Sequence, residues 1–379
     1  MSEPRPLRLG LAGMGVGASQ LLPAMTTGPH VRLTAVGDVR QAALDQAAAE
    51  YGVETHRSIE GLCRSPNVDV VWVATPSHLH AEHAILAAEA GKHVIVSKPL
   101  AITLEECAAM NAAAARNGVL LLAGHTQSMA PAVRKLAELA RGGAFGRLGM
   151  IHTWHYTDWM YRPRLPEELD PARGGGPVFR QASHQVDIVR LIGGGLVRSV
   201  RAMTVQLDPE RGAPGGYTVY LEFADGTPAT IVYSGYGHFE TGELTGKRSL
   251  AERVPDEFAA ADERTQKEAL RSARRGQELS LGQFGLTLVT CERADLRESP
   301  DGLWVYERGG RREIPVPREL RGAAELEEMY QAVVHGRPLS HDGAWGLATL
   351  EVCVAIEESA RTRQEVLLAQ QTASPPGQI

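Results

Sequence analysis

The chain has 379 residues, more than a single hydrophobic core usually serves, so we expect two domains. Hydrophobic residues make up 43% and charged residues 22% of the sequence, as in ordinary globular proteins, and a formal net charge of -6 argues against a general nucleic-acid binder. We find neither the apolar core of a signal peptide nor an apolar run that would span a bilayer, so we expect a cytoplasmic protein with no membrane partner.

The first third of the chain alternates strand patterns with helix patterns. Short apolar runs typical of buried strands occupy residues 7–12, 31–36, 68–74, 94–96 and 119–123. Helical patterns lie between them at residues 20–25, 41–51, 80–90 and 104–117. This alternation predicts an α/β domain over residues 1–124, built on a doubly wound parallel sheet of the Rossmann type.

After residue 124 the pattern changes to longer strands joined by turns. Strand patterns occupy residues 148–157, 197–207, 217–223, 229–234, 286–291, 303–307 and 312–316. The dipeptide Asp225-Gly226 between two of them favours a hairpin. We therefore predict an α+β domain over residues 125–370 with a large, mainly antiparallel open sheet. An inserted helix is expected at about residues 256–275 and a disordered tail at residues 371–379.

A glycine-rich segment follows the first strand. Gly13, Gly15 and Ala18 form a G-x-G-x-x-A pattern, with Met14 and Val16 between them. Gly13 permits the tight turn, Gly15 lets the backbone approach a pyrophosphate, and Ala18 allows close packing of helix and strand. The pattern predicts a dinucleotide site, with the phosphates at the N-terminus of the next helix.

Two charged residues at the end of the second strand bear on the choice of cofactor. Asp38 lies about twenty residues after the glycines, where an acid accepts hydrogen bonds from the adenosine ribose. We expect NAD on this basis. Arg40 lies two residues further on and would suit the 2′-phosphate of NADP, so NADP remains an alternative.

Two further segments carry a family resemblance. Ala74-Thr75-Pro76-Ser77-His78-Leu79-His80 and Ala90-Gly91-Lys92-His93-Val94-Ile95-Val96-Ser97-Lys98-Pro99-Leu100 resemble the A-T-P-N-x-x-H and A-G-K-H-V-x-x-E-K-P-L motifs of the Gfo/Idh/MocA oxidoreductases. The resemblance extends over nearly the whole chain and includes Gly124-His125. It implies a Rossmann domain followed by an open antiparallel sheet, in agreement with the patterns above.

The resemblance also implies site residues. Lys98 matches the catalytic lysine of the family, and the cofactor-binding positions, besides those already named, correspond to Thr75, Pro76, His78, His80, Ser97 and Lys98. His125 is expected beside the substrate. Ser97 departs from the pattern, because the family has glutamate before the lysine.

A second departure concerns the substrate. Many members carry D-x-x-x-H, whereas this chain has Arg180-Gln181-Ala182-Ser183-His184. The histidine is kept, but arginine replaces the acid. Because a guanidinium binds a carboxylate through two parallel hydrogen bonds, Arg180 favours an anionic substrate.

The segment before Arg180 resembles one branch of the family, the phthalate 4,5-cis-dihydrodiol (4,5-dihydroxyphthalate) dehydrogenases. Tyr156, Tyr161, Arg162 and Arg164 lie in this segment and would line a site for a flat aromatic acid. The resemblance thus implies oxidation of a cis-dihydrodiol of an aromatic carboxylic acid. In that reaction Lys98 would polarise the reacting oxygen and His184 would act as general base.

Several alternatives stay open from the sequence. After the dihydrodiol dehydrogenase, the next alternative is a sugar, cyclitol or glycoside dehydrogenase of the same family. A non-catalytic redox sensor that binds NAD(P) is a further alternative, against which the retained Lys98 and His184 argue. By analogy with the family, its open sheet suggests a homodimer or homotetramer. The histidines near the cofactor segments lack a cysteine or acid cluster, and the four cysteines are widely spaced, so we expect no metal.

Overall fold

A computed structural model describes residues 5–245, 258–273, 281 and 284–374. These residues form two compact units. The first contains residues 5–126 and 320–347, and the second contains residues 127–245, 258–273, 281, 284–319 and 348–374. Among the described residues, no helix is long and apolar enough to cross a membrane.

Six strands form the sheet of the first unit, in the order β3-β2-β1-β4-β5-β6, and all their pairings are parallel. The strands are β1 (Leu7–Ala12), β2 (Val31–Gly37), β3 (Glu54–His56), β4 (Val70–Val73), β5 (His93–Ser97) and β6 (Leu121–Gly124). The helices are α1 (Val16–Ser19), α2 (Leu22–Thr27), α3 (Gln41–Tyr51), α4 (Ile59–Arg64), α5 (His80–Glu89), α6 (Leu104–Arg116) and, later in the chain, α11 (Ala323–His335). The predicted Rossmann sheet is confirmed.

The core of this unit follows from the apolar runs noted in the sequence. All four residues of β4 are buried, as expected for a strand covered on both faces. The helix α6 begins with a capping box, in which Thr103 accepts from the backbone of Glu106 and Glu106 accepts in return from the backbone of Thr103. The helix expected at residues 20–25 corresponds to α2, which begins two residues later with Pro23 in its first turn, and the separate short helix α1 comes before it.

Nine strands form the sheet of the second unit, in the order β14-β13-β12-β11-β7-β10-β9-β8-β15. They are β7 (Leu148–Tyr156), β8 (Val197–Val205), β9 (Gly216–Phe223), β10 (Pro228–Ser234), β11 (Leu286–Cys291), β12 (Asp295–Glu298), β13 (Gly302–Glu307), β14 (Gly310–Pro315) and β15 (Val366–Leu367). The helices are α7 (Pro131–Arg141), α8 (Pro166–Leu169), α9 (Ser183–Gly193) and α10 (Glu263–Ala273), while α12 (Gly343–Thr362) contributes its residues after 347.

The large, mainly antiparallel sheet is confirmed, and β7 with β10 is its parallel pair. The predicted hairpin joins β9 to β10, with Gly226 at a φ of 84°. One face of the sheet carries α9, whose residues from Ser183 to Ile192 are all buried. The opposite face exposes large apolar side chains, among them Met150, Trp154 and Tyr220.

Two predicted boundaries need correction. Residues Leu320–Leu347 belong to the first unit, so the domain assigned to residues 125–370 is interrupted. In the predicted disordered tail, Gln371 donates to the carbonyl of Ala348 and the backbone amide of Ser374 donates to Gly194, which makes residues 371–374 ordered. Residues 375–379 lie outside the described residues, as do 256, 257, 274 and 275 of the predicted insertion.

Candidate active site

The predicted cofactor residues of the first unit lie at one edge of its sheet. The glycine-rich segment follows β1, Asp38 follows β2, and Thr75 comes shortly after β4. Lys98 and His125 follow the adjacent strands β5 and β6 directly. Because all these strands are parallel, the residues lie at the carboxyl ends of the strands, where open α/β sheets bind their ligands.

The turn after β1 has the geometry that a dinucleotide requires. Gly13 has a φ of 94°, and a Cβ there would lie 3.0 Å from the carbonyl oxygen of Ala74. A Cβ on Gly15 would meet no described atom nearer than 4.0 Å, so its bare backbone borders open space. Glycine at the first position is therefore a steric necessity, and glycine at the second leaves room for a phosphate group.

Asp38, which was predicted to bind the adenosine ribose, follows β2 directly and is buried. Its buried carboxylate accepts from the backbone amide of Met14 at 2.8 Å and from the backbone amide of Arg40 at 2.9 Å. The Arg40 guanidinium donates to both carboxylate oxygens and to the carbonyl of Met14. Burial alone would raise the pKa of Asp38, but the hydrogen bonds from Arg40 and Met14 hold it below its usual value. The site thus presents an ionised carboxylate with a guanidinium folded over it.

The loop that carries Lys98 is fixed by its neighbours. The ring nitrogens of buried His80 lie 2.8 Å from the carbonyl oxygens of Thr75 and Pro99, so this histidine ties two loops together. The Lys98–Pro99 peptide bond is cis. Ser97 accepts a hydrogen bond from the indole of Trp72 at 3.0 Å, which gives this departure from the family pattern a structural partner.

The remaining predicted residues of the first unit are placed as follows. Pro76 precedes a single 3-10 turn, Ser77–Leu79, which contains His78. The side chain of Thr75 lies 2.9 Å from Nδ1 of His83, and His125 is buried immediately after β6. Among the described residues, no group of three or more histidine, cysteine, aspartate or glutamate side chains is placed to hold a metal ion.

His184 lies in the second unit, in the first turn of α9. A π-helical turn, Val178–Ala182, leads directly into that helix. Ser183 has helical backbone angles, and its hydroxyl donates to the carbonyl of Phe179 at 2.7 Å, so Ser183 continues the helical turn and does not cap a free helix N-terminus. The ring of His184 packs against Phe284, with ring centroids 4.7 Å apart.

A series of contacting aromatic rings leads from Phe284 away from His184. His155 packs edge-on against Phe284 at 4.2 Å and against Tyr233 at 5.6 Å. Tyr233 in turn stacks on Tyr217 at 5.1 Å. Its buried hydroxyl has no hydrogen-bond partner among the described residues and interacts electrostatically with Arg164. His155, Tyr233 and Phe284 were not predicted from the sequence.

Three cationic side chains meet one buried carboxylate beside these rings. Glu168 accepts from Arg180 at 3.1 Å, lies 4.0 Å from Arg164, and forms a short contact with the ammonium of Lys267 on α10. The Arg164 guanidinium also lies 4.0 Å from the centre of the Trp159 ring. Burial lowers the pKa of Arg164 to about 10. Sequence reasoning found two of the three cations, Arg164 and Arg180.

We call the group formed by Glu168, Arg164, Arg180 and Lys267 the Glu168 cluster. Not every residue predicted to bind the substrate belongs to it. Arg162 pairs with Asp158 at 2.5 Å and donates to Thr157. Tyr161 is exposed and stacks near His238. Tyr156 alternates with His155 along β7 and shares the exposed face with Trp154, so the prediction that it lines the substrate site gains no support.

Comparisons with known proteins agree with this geometry. A family model described as "Oxidoreductase family, NAD-binding Rossmann fold" matches residues 7–125, and a model of the "GFO/IDH/MocA C-terminal domain" matches residues 133–248. A 1-carboxy-3-chloro-3,4-dihydroxycyclohexa-1,5-diene dehydrogenase of Comamonas testosteroni is 34% identical over 94% of this chain and 95% of its own.

Two other similarities bear on fold and substrate class. The crystal structure of a protein from Bordetella bronchiseptica, named as a dehydrogenase, has a TM-score of 0.86 and 34% identity, covering 96% of this chain and 100% of its own. An inositol 2-dehydrogenase of Saccharopolyspora erythraea is 29% identical over 64% of this chain and 71% of its own. The similarity therefore extends across both units of the chain.

Proposed function

Because the chain belongs to the Gfo/Idh/MocA oxidoreductase family and is an NAD(P)-dependent dehydrogenase acting on CH–OH groups, we propose that it oxidises a cis-dihydrodiol of an aromatic carboxylic acid. The observation that carries this proposal is the Glu168 cluster, in which cationic side chains converge beside aromatic rings. Such a combination suits a flat, anionic ring, whereas a neutral sugar calls for hydrogen-bonding amides and carboxylates. The name of the Comamonas testosteroni relative describes a carboxylated cyclic diol.

Oxidation of such a diol removes one hydride from a carbinol carbon and one proton from its hydroxyl group. The glycine-rich turn and Asp38 would hold NAD⁺, which would supply the acceptor for the hydride that leaves the carbinol carbon. The hydroxyl proton leaves to a base, and the resulting ketone tautomerises to a phenol. Since this step restores an aromatic ring, it drives the oxidation forward.

The chain supplies groups for both roles. We assign Lys98 to the reacting oxygen, where an ammonium stabilises the developing negative charge. We assign His184 as general base, because its unperturbed pKa lies near neutrality. A π-helical turn comes immediately before α9, the helix that carries His184, and such turns are frequent at functional sites.

A substrate panel tests the proposal. NADH formation is measured with a cis-dihydrodiol of benzoate, its uncharged carboxamide and myo-inositol. We expect the highest kcat/KM with the carboxylated diol. Arg180→Ala removes one of the three cations of the Glu168 cluster, so we expect it to lower that value about a hundredfold while affecting the carboxamide much less. Equal use of acid and amide by the unaltered protein would sink the dihydrodiol-acid proposal.

The same panel separates two other functions. Turnover of myo-inositol alone would indicate a cyclitol dehydrogenase, which the similarity to an inositol 2-dehydrogenase favours as the second candidate. NADH binding without turnover of any member would indicate a redox-sensing binding protein.

The open sheet face also supports an oligomer. Trp154 is 41% exposed, Met150 lies on the same face of the same strand, and Tyr220 lies on that face of β9, two strands away. We propose that two copies of the chain pack these faces against each other in a homodimer. Two such dimers would form a homotetramer. Light scattering after size exclusion should show a lower mass for Trp154→Arg than for the unaltered chain, and an unchanged mass would contradict the assignment of this face.

A further inference from the structure

The helix α10 lies in the chain between β10 and β11 and brings a lysine to the Glu168 cluster. Lys267 forms its short contact with one oxygen of Glu168, while Arg180 donates to the other. Its side chain is 18% exposed, so most of it is shielded from water. An exposed neighbour on the same helix, Arg264, provides a comparison within the same element.

Glu168 is held independently of the cations around it. It is the third residue of α8, and its carboxylate accepts from the backbone amide of Leu165 at 2.9 Å. That hydrogen bond fixes the carboxylate at the start of its own helix. Although burial would raise the pKa of Glu168, the neighbouring Arg180 and Lys267 keep it below its usual value. Glu168 is therefore a fixed anion against which the cations are positioned.

The cations are not fully compensated by this carboxylate. Burial lowers the pKa of both Arg164 and Lys267, and Glu168 offsets this effect only in part. A second anion brought to these side chains would stabilise their charged forms.

An independent observation also points to a ligand. The hydroxyl of Tyr233 is buried, with the residue only 2% exposed, and it has no hydrogen-bond partner among the described residues. It interacts electrostatically with Arg164 and Arg162. A buried hydroxyl without an acceptor is costly, so a ligand oxygen beside Arg164 would satisfy it.

We propose that Lys267 and Arg164 together bind the carboxylate of the substrate, with Tyr233 donating a hydrogen bond to it and Glu168 holding both cations in place. This inference rests on the proposed function and makes Lys267 a specificity-determining residue. The guanidinium offers a planar donor pair, and the ammonium adds a point charge. The remainder of the ring then extends past His155 and Phe284 toward His184, along the contacts between those rings.

Equilibrium binding tests the proposal separately from turnover. The full-length protein is saturated with NADH and titrated calorimetrically with 3,4-dihydroxybenzoate and with the uncharged 3,4-dihydroxybenzamide. We expect the unaltered protein to bind the acid more tightly. Lys267→Met should weaken the acid about tenfold to a hundredfold and leave the amide nearly unchanged, since a charge-assisted hydrogen bond is lost.

Three further variants make the result decisive. Lys267→Arg should keep the preference for the acid, and Arg264→Met on the same helix should behave as the unaltered protein does. Lys267→Gln, which keeps a donor for Glu168, should lose the preference even if Lys267→Met does not fold. Unchanged acid binding in Lys267→Gln, or no acid preference in the unaltered protein, overturns the proposal. If the acid preference depends on Lys267 but no carboxylated diol is oxidised, the anion site stands and the proposed function fails.

Discussion

Replacing Asp38 should change the cofactor that the protein prefers. The buried carboxylate accepts from Met14 and Arg40, and it lies where the adenosine ribose hydroxyls are expected. In Asp38→Asn, a charged acceptor becomes a neutral one, which costs about 1 kcal/mol in each ribose hydrogen bond and lowers kcat/KM for NAD about tenfold. The same change removes the repulsion of a 2′-phosphate and releases Arg40 to bind it. The ratio of kcat/KM for NAD to that for NADP should therefore fall at least about a hundredfold.

Steady-state kinetics with both cofactors measure this ratio directly. Asp45→Asn is the matched control, because Asp45 is exposed on α3 and accepts only from Gln41 in the described contacts. Arg40→Ala should lower activity with NADP in the Asp38→Asn background. A ratio that stays constant in Asp38→Asn, or that moves toward NAD, would refute the assignment of Asp38 to the ribose.

Three other substitutions have defined outcomes. Lys98→Ala should lower kcat by about two to three orders of magnitude while leaving NADH affinity, read by fluorescence titration, nearly unchanged, and near-normal turnover would contradict its assignment. Arg190→Met should lower the free energy of unfolding in urea by about 2–3 kcal/mol, because it removes a buried guanidinium that donates to Thr349 and Gln371. Arg198→Met at an exposed pair should cost less than about 1 kcal/mol. Burial raises the pKa of Glu325, which lies beside Arg321, His341 and Glu328, to about 7. Between pH 4.5 and 7 the folded state therefore binds more protons than the unfolded state, so the free energy of unfolding falls as the pH rises. Glu325→Gln should remove that decline and raise the melting temperature at pH 8, and an unchanged slope would show that Glu325 is ionised.

Five of the six strands of the first unit could be predicted from its sequence, whereas β3 and the later segment Leu320–Leu347 could not. The predicted strands are short apolar runs such as β4, and Gly13, Asp38 and Lys98 each follow one of them directly. Parallel pairing then places Gly13, Asp38 and Lys98 at one edge without any knowledge of side-chain contacts. The folding of Arg40 over Asp38 could not be foreseen, since the sequence spacing suits both a paired guanidinium and a phosphate-binding one.

In the second unit, seven of the nine strands and the inserted helix could be predicted, but the Glu168 cluster could not. Glu168 and Lys267 are separated by 99 positions, and neither belongs to a periodic pattern that would join them. The acidic start and basic end of residues 256–275 indicated a helix but gave no reason to single out one lysine. Ser183 before His184 has the residue type of an N-cap, but the π-helical turn extends the helix backward, so local preference was overridden by the continuing chain.

The buried polar side chains of α9 bear on the orientation of His184, the proposed general base. Gln185 donates to Thr153 and to the carbonyl of Val232 and accepts from Tyr217 at 2.7 Å, which fixes the start of the helix to three strands of the sheet. Further along, Thr349 links Asp187 to Arg190. Buried charges of this kind are seldom needed for stability alone, because apolar residues of similar volume would serve as well. Hydrogen bonds that fix the first turns of the helix also fix the orientation of its histidine. This matters for a general base, which must lie within hydrogen-bond reach of the proton that it removes. The network is therefore better explained by the position of His184 than by the stability of the unit.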